Sequence, residues 1–255
     1  MATLIERYFD TVIERLQQVK TSQAAEIDAA AQICADSIAR EKLVFTFGTG
    51  HGALPALETF PRTGTIVGFR PIVESTMISF HRVWGDMGAR QYRFIHAAEG
   101  YGTAILRSHR LDAADTMVLF SHSGINAVIL DIAIACKEFG LKVVGVTSLS
   151  HSKAVPSRHS TGKRLFEVAD VVVDTGAALA DAALKIEGLE DPVGANSTSV
   201  TIAIAHAIVA ATAEKLVARG ITPMVMVSPN TAGREAANKK NDANYEAMWQ
   251  RLAAR

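Results

Sequence analysis

The sequence predicts an α/β fold: a three-layer α-β-α sandwich built on a mainly parallel sheet and preceded by a helical hairpin. Three observations predict it. Hydrophobic residues make up 49% of the chain and aromatics only 6%, an Ala/Val/Ile-rich balance that suits β-branched strands buried beneath Ala-lined helices. Two short apolar runs, at residues 43–47 and 115–120, discharge into loops rich in Gly and Ser. A strand–loop–helix–strand pattern of about thirty residues fills positions 115–147, which is the βαβ unit with its right-handed crossover and parallel strands.

The elements follow in order. Leu4, Ile5, Tyr8, Val12, Ile13, Leu16 and Val19 recur at helical spacing, and Ile27, Ala31, Cys34 and Ile38 repeat the pattern after Thr21 and Ser22. Two amphipathic helices therefore open the chain. Residues 43–47 form a buried strand ending in the loop Gly48-Thr49-Gly50-His51-Gly52. In the middle, residues 66–69 and 92–95 read as strands, while Pro61, Pro71 and several glycines interrupt any long helix. The strand at 115–120 feeds the loop Ser121-His122-Ser123-Gly124-Ile125-Asn126. A helix follows over 127–139, with Val128, Ile129, Ile132, Ala135 and Cys136 on its inner face and Gly140 as its stop. Residues 142–147 and 169–174 are two more strands, separated by a polar loop at 148–163. A long helix spans 198–219 and stops at Gly220, residues 224–227 add a short strand, and 234–255 is a polar helix. With no repeat or composition break, the chain reads as one domain over 1–255: helices at 1–40, an α/β core at 43–230, and a C-terminal helix at 231–255.

Twenty-six Lys and Arg balance 26 Asp and Glu, so no global field draws the chain to nucleic acid or to an anionic membrane. Cys34 and Cys136 both lie in apolar helical patterns and read as small core residues of a reducing compartment. No basic n-region leads into an apolar h-region, and no uninterrupted apolar stretch reaches about 18 residues. A cytoplasmic protein is the expectation. The phosphate-binding loop ending Gly-Lys-Ser/Thr, the His-Glu-x-x-His metal motif and the Gly-x-Ser-x-Gly elbow are all missing, and the glycines at 48, 50 and 52 lack dinucleotide spacing. The histidines have no zinc-ligand spacing, so neither a metal nor an organic cofactor is expected.

In an open parallel sheet, ligands sit beyond the carboxyl ends of the strands, where loops and helix N-termini aim N–H groups outward. The 121–126 loop offers two serine hydroxyls, a glycine that lets an anion approach the backbone, and Asn126 at a helix start. By composition it is an anion cradle. The same string alone also describes a plain turn with an N-cap. Positive charge at His151, Lys153, Arg158, His159, Lys163 and Arg164 either complements an anion or forms a solvated basic loop. Ser197, Thr198 and Ser199 with Asn196 cap the long helix or reach a ligand.

The segment 115–147 resembles the sugar isomerase (SIS) family, in which an apolar strand runs into Ser-x-Ser-Gly-x-Thr/Asn, an Ala-rich helix, a Gly, and a strand ending in Thr. Together with the 48–52 loop and the stretches 157–177 and 188–199, the match runs through most of the chain. It is nearest to a subgroup of stand-alone SIS proteins without a settled reaction. The resemblance implies a flavodoxin- or Rossmann-like sheet and a homodimer or homotetramer. It also implies a sugar-phosphate ligand held by Gly48, Thr49, Gly50, His51, Ser121, His122, Ser123, Gly124, Asn126, Thr147 and Ser148. Position 52 is Gly where the family often has serine, so one hydroxyl of the family's loop is missing, which His51 compensates or leaves open.

Aldose–ketose isomerisation needs a base that shuttles a proton between adjacent carbons and a group that opens the ring. Glu74, near a presumed strand end, and Glu58, two helical turns beyond the first loop, are the carboxylate candidates, each equally readable as a surface charge. His206, on the apolar late helix, is the histidine candidate or else a satisfied core residue. Two rival functions stay open: a lyase or etherase on an N-acetylated sugar phosphate using the same base, and a sensor that binds the sugar phosphate without chemistry. About forty residues precede the first strand, too few for the usual DNA-binding partner of such sensors.

Overall fold

A computed structural model of the chain describes residues 2–60, 62–78, 88–231 and 233–255. The opening hairpin is α1 (Leu4–Ser22) and α2 (Ala24–Ala39). Thr3 and Glu6 exchange hydrogen bonds at the start of α1, each satisfying an N–H that the first helical turn leaves open. After β1 (Val44–Gly48) come a 3₁₀ turn at Gly50–Gly52, α3 (Ala53–Leu57), β2 (Phe69–Pro71), α4 (Ser75–Ile78), α5 (Gly88–Ile95) and α6 (Tyr101–Arg107). The βαβ unit is β3 (Thr116–Phe120), α7 (Ala127–Phe139) and β4 (Lys142–Thr147). Then follow α8 (Leu149–Ala154), α9 (Leu165–Val168), β5 (Val171–Asp174), a 3₁₀ turn at Leu179–Asp181, α10 (Ser197–Ala218) and α11 (Arg234–Ala253).

All the strand pairs are parallel, and the order is β2-β1-β3-β4-β5. Every residue of β1 and β3 is buried, as continuous apolar strands covered on both faces must be. One face carries α2, which packs on β1, β3 and β5 with α10 behind it. The other carries α7 on β3 and β4, flanked by α6 and α9. The α/β sandwich expected from sequence is therefore the fold. α10 is long and apolar enough by length and composition to cross a membrane, with mean hydropathy 1.6, but Val200, Ile204, Ile208 and Leu216 make it a core helix here.

Four sequence expectations are corrected. Residues 92–95 belong to helix α5, because Tyr92 and Ile95, three apart, turn inward while Phe94 stands 77% exposed. The strand expected at 66–69 starts only at Phe69, at the sheet edge where Pro71 is tolerated. Ile66 instead bridges Val225 in antiparallel fashion, with the Val67 N–H donating to the Met224 carbonyl and the Met226 N–H to the Thr65 carbonyl, both at 2.9 Å, so the strand expected at 224–227 is a short antiparallel bridge outside the sheet. The polar loop after β4 also holds a short helix, α8.

Candidate functional site

β1 connects outward to β2 on one side, and β3 connects to β4 on the other. Between the C-terminal ends of β1 and β3 the chain therefore diverges, and a crevice opens at this topological switch point. A cavity of about 410 Å³ occupies it, a size suited to a small metabolite.

The β3–α7 loop forms its floor. Ser121 Oγ accepts from the Gly124 N–H at 3.1 Å, and the Gly124 carbonyl accepts from the Leu165 N–H at 2.8 Å. Gly124 has φ +63°, and a Cβ there would stand 2.9 Å from Thr147 Oγ1, so only glycine lets the loop turn this tightly. The turn delivers Ser121, Ser123 and Asn126 to the cavity at the positive end of α7. Arg158 lines the same wall and donates to Asn126 Oδ1 at 3.2 Å.

Thr49 and His51 arrive from the β1 loop, and the Tyr92 hydroxyl donates to Thr49 Oγ1 at 3.3 Å. Burial pushes the Tyr92 phenol up, partly offset by that bond. Gly52 stands where the resemblance expects serine. A Cβ at this position would come within 2.7 Å of the Phe120 carbonyl oxygen, so the close approach of the two loops excludes a side chain there.

The far wall is made by Ser197, Thr198 and Thr201 at the start of α10, with Asp181 and His151. Asp181 accepts from the Asn196 and Ser197 N–H groups at 3.1 and 2.8 Å and from the Ser197 hydroxyl at 2.6 Å. His151 Nδ1 lies 3.0 Å from His122 Nε2, the rings meeting edge-on at 4.7 Å. Burial holds the His122 imidazole below the usual histidine range and the neighbouring His151 adds to this, against a smaller opposing pull from Asp181. Burial lowers His151 as well, then the Arg158 charge, again opposed by Asp181.

Of the residues singled out from sequence, Thr49, His51, Ser121, His122, Ser123 and Asn126 line the cavity together. Gly48, Gly50 and Gly124 shape the turns beneath. Thr147 and Ser148 are fully buried and do not line it: Thr147 Oγ1 donates to the His122 carbonyl and Ser148 Oγ to the Ala177 carbonyl. Glu58 and His206 meet each other at 3.2 Å outside the lining, where Glu58 also pairs with Arg62. Burial alone would raise the Glu58 carboxyl, but Arg62 and His206 together hold it below its usual range. Glu74 likewise lies outside, accepting from the Thr76 N–H and hydroxyl. Of the basic loop, His151 and Arg158 reach the cavity, Lys153 and Arg164 lie against Phe166, and His159 contacts Asp131. The sequence reading missed Tyr92, taken for a strand residue, and Asp181, which no local pattern marks.

Known proteins bear on this geometry. The SIS domain profile matches residues 7–148. UPF0309 proteins of Shouchella clausii and Streptomyces griseus are 34% and 33% identical to the chain; the first alignment covers 97% of this chain and 96% of the relative, the second 95% of each. Phosphoheptose isomerases of Francisella tularensis and Neisseria gonorrhoeae superpose with a TM-score of 0.53 at 14% and 15% identity. They cover 84% and 82% of this chain and 100% and 98% of their own, a likeness of fold. With its profile match over more than half its length and its full-length UPF0309 relatives, the chain belongs to the SIS domain family.

Proposed function

We propose that the chain binds the phosphate of a sugar phosphate in the cavity between β1 and β3 and moves a proton between adjacent carbons of the opened sugar, as an aldose–ketose isomerase. The observation that carries the reading is the convergence of the Ser121 and Ser123 hydroxyls, Asn126, the positive end of α7 and the Arg158 guanidinium on one wall of a switch-point cavity. Thr49, Ser197 and Thr198 opposite offer hydrogen bonds to sugar hydroxyls. The fold shared with phosphoheptose isomerases supports the substrate class. Within this reading the chain works in the cytoplasm as a homo-oligomer and calls on no organic cofactor.

A second reading, a sugar-phosphate binding protein without chemistry, has one observation in its favour. Asp181, the one carboxylate lining the cavity among the described residues, is already committed to three hydrogen bonds. A thermal-shift screen against hexose, pentose, heptose and amino-sugar phosphates tests binding. A ligand at one hundred times its Kd stabilises the folded state by about 2.7 kcal/mol, or about 5–10 °C for a chain of this size. That shift is expected for at least one sugar phosphate and should vanish in Ser123→Ala; no shift across the panel in folded protein would sink the phosphosugar reading. Turnover of the bound sugar then separates isomerase from binding protein.

A further inference from the structure

The reaction proposed above needs a base, and the described residues lining the cavity supply no free carboxylate. No glutamate lines it among the described residues, and Asp181 holds the start of α10. Imidazoles stand there instead, and two of them, His122 and His151, come from loops on neighbouring strands. β3 and β4 pair with Phe120 level with Val146, so His122 and Ser148 leave the sheet side by side, the Ser148 N–H donating to the His122 carbonyl at 2.9 Å. Ser148 then caps α8 through the His151 N–H, and that one turn brings the two rings together.

We propose that His122 and His151 work as a proton-transfer pair, with His151 Nε2 as the atom that takes and returns the sugar's carbon-bound proton. This rests on the sugar-phosphate reading above. The 3.0 Å contact occupies Nδ1 of His151 and Nε2 of His122. Nδ1 of His122 is buried and has no hydrogen-bond partner among the described residues, so the pair meets the cavity through His151 Nε2. When His151 Nδ1–H donates to His122 Nε2, a lone pair is left on His151 Nε2. That nitrogen accepts the proton from the carbon beside the carbonyl, and the C–H electron pair becomes the carbon–carbon bond of an enediolate. The positive charge gained by His151 is shared across the hydrogen bond with His122. The proton held on Nε2 exchanges with solvent while the enediolate stands, a proton is then delivered from Nε2 to the neighbouring carbon, the enediolate's own hydroxyl proton moves between its two oxygens, and the pair is neutral again. His151 is the catalytic residue of this step and His122 a positioning residue.

The surroundings suit a base. Burial and the Arg158 charge keep His151 below the ordinary histidine range, so its lone pair is free at neutral pH, while Asp181 on the same wall favours the charge that appears during transfer. Among the described residues, His51 from the β1 loop and Tyr92 from α5 are the other ionisable groups lining the space.

The test follows deuterium entry from D₂O into a sugar phosphate that the wild type binds, read by proton NMR. His151→Gln should keep the ligand-induced thermal shift and lose exchange about 100-fold or more. His122→Ala should lose part of the rate and move the acid limb of its pH profile. His122→Gln, whose amide can still bond His151, should recover part of both. Exchange at the wild-type rate in His151→Gln overturns the proposal, as does binding without any exchange in the wild type; in neither case does the binding reading fall. Failure to bind any sugar phosphate removes both. If His151→Gln does not fold, an unchanged pH profile in His122→Ala is the overturning result.

Discussion

The Asp181 carboxylate and the Ser197 hydroxyl meet at 2.6 Å, and the same carboxylate takes the Ser197 N–H at 2.8 Å. A residue from the turn after β5 thus caps α10, and it does so from φ +54°, a left-handed conformation that costs a non-glycine side chain about 1–2 kcal/mol. The strain is offset only if the cap is made. Asp181→Ala keeps the strain and loses the cap, so chemical denaturation should register a loss of about 1–2 kcal/mol. Asp181→Asn, which tolerates this conformation and keeps an acceptor, should lose less than half as much. Equal losses would mean that the carboxylate charge, and not the cap, is what α10 needs.

Gly124 and Gly162 both have positive φ, +63° and +70°, but only the first is crowded. An added Cβ at 124 meets Thr147, Leu165 and Ser152, whereas at 162 nothing lies within 4 Å. Gly162→Ala should therefore cost about 1–2 kcal/mol from the backbone alone, with ligand-induced stabilisation intact. Gly124→Ala should cost more and abolish the ligand shift, because the Ser121–Gly124 turn cannot keep its shape. A folded Gly124→Ala that still answers to the ligand would show that the cradle does not depend on the turn.

Asp115 and Arg255 form a buried pair, with guanidinium nitrogens 2.5 and 2.7 Å from the two carboxylate oxygens. Asp115 also accepts from the N–H groups of Leu43 and Asp112, so one side chain ties together the starts of β1 and β3 and the end of α11. Asp115→Ala strands the Arg255 charge and two backbone donors together, a loss of about 3–5 kcal/mol. Arg255→Ala should lose less, since the carboxylate keeps its backbone donors. The order of the two unfolding free energies checks this, and the reverse order would contradict it.

How far the sequence reached is visible in these same elements. β1, β3, α7, β4 and α10 were legible because each is a continuous apolar run or an unbroken helical period ending at Gly or a polar turn. Residues 92–95 were not, because Tyr-Arg-Phe-Ile satisfies strand propensity over four positions and only the tertiary fit decides which faces are buried. Likewise Ile66 and Val225 meet across 159 positions, a pairing no local window contains. In the site, the 121–126 loop announced itself because it must turn tightly after a strand. Asp181 and Tyr92 enter the cavity through packing alone. His122 and His151 were each readable as polar loop residues, yet their pairing depends on the β3–β4 register. The carboxylate candidates, Glu58 and Glu74, have local partners in Arg62 and Thr76 that sequence spacing alone does not single out.

The histidines also set a sign for stability against pH. His109, His122 and His151 are all held below the ordinary imidazole value of 6.5: His109 by burial and the Arg70 charge against Glu74, the other two by burial and neighbouring positive charge or imidazole. Each therefore binds its proton more weakly in the folded chain than in the unfolded one. Below about pH 6.5 the unfolded state holds more protons, so stability is full above that pH and declines as pH falls toward the depressed folded values. Carboxylates lowered by their partners, such as Asp112 beside Lys42 and Asp170 against Lys137, act in the same direction only nearer pH 4. Melting temperatures taken at pH 8, 7, 6 and 5 should be level across the first pair and then fall. In a folded His122→Gln, His151→Gln double variant the fall between pH 7 and 5 should be shallower, with the remainder due to His109. A double variant with the wild-type slope would assign the acid sensitivity elsewhere and leave the imidazole pair without the depressed affinity for protons that its burial implies.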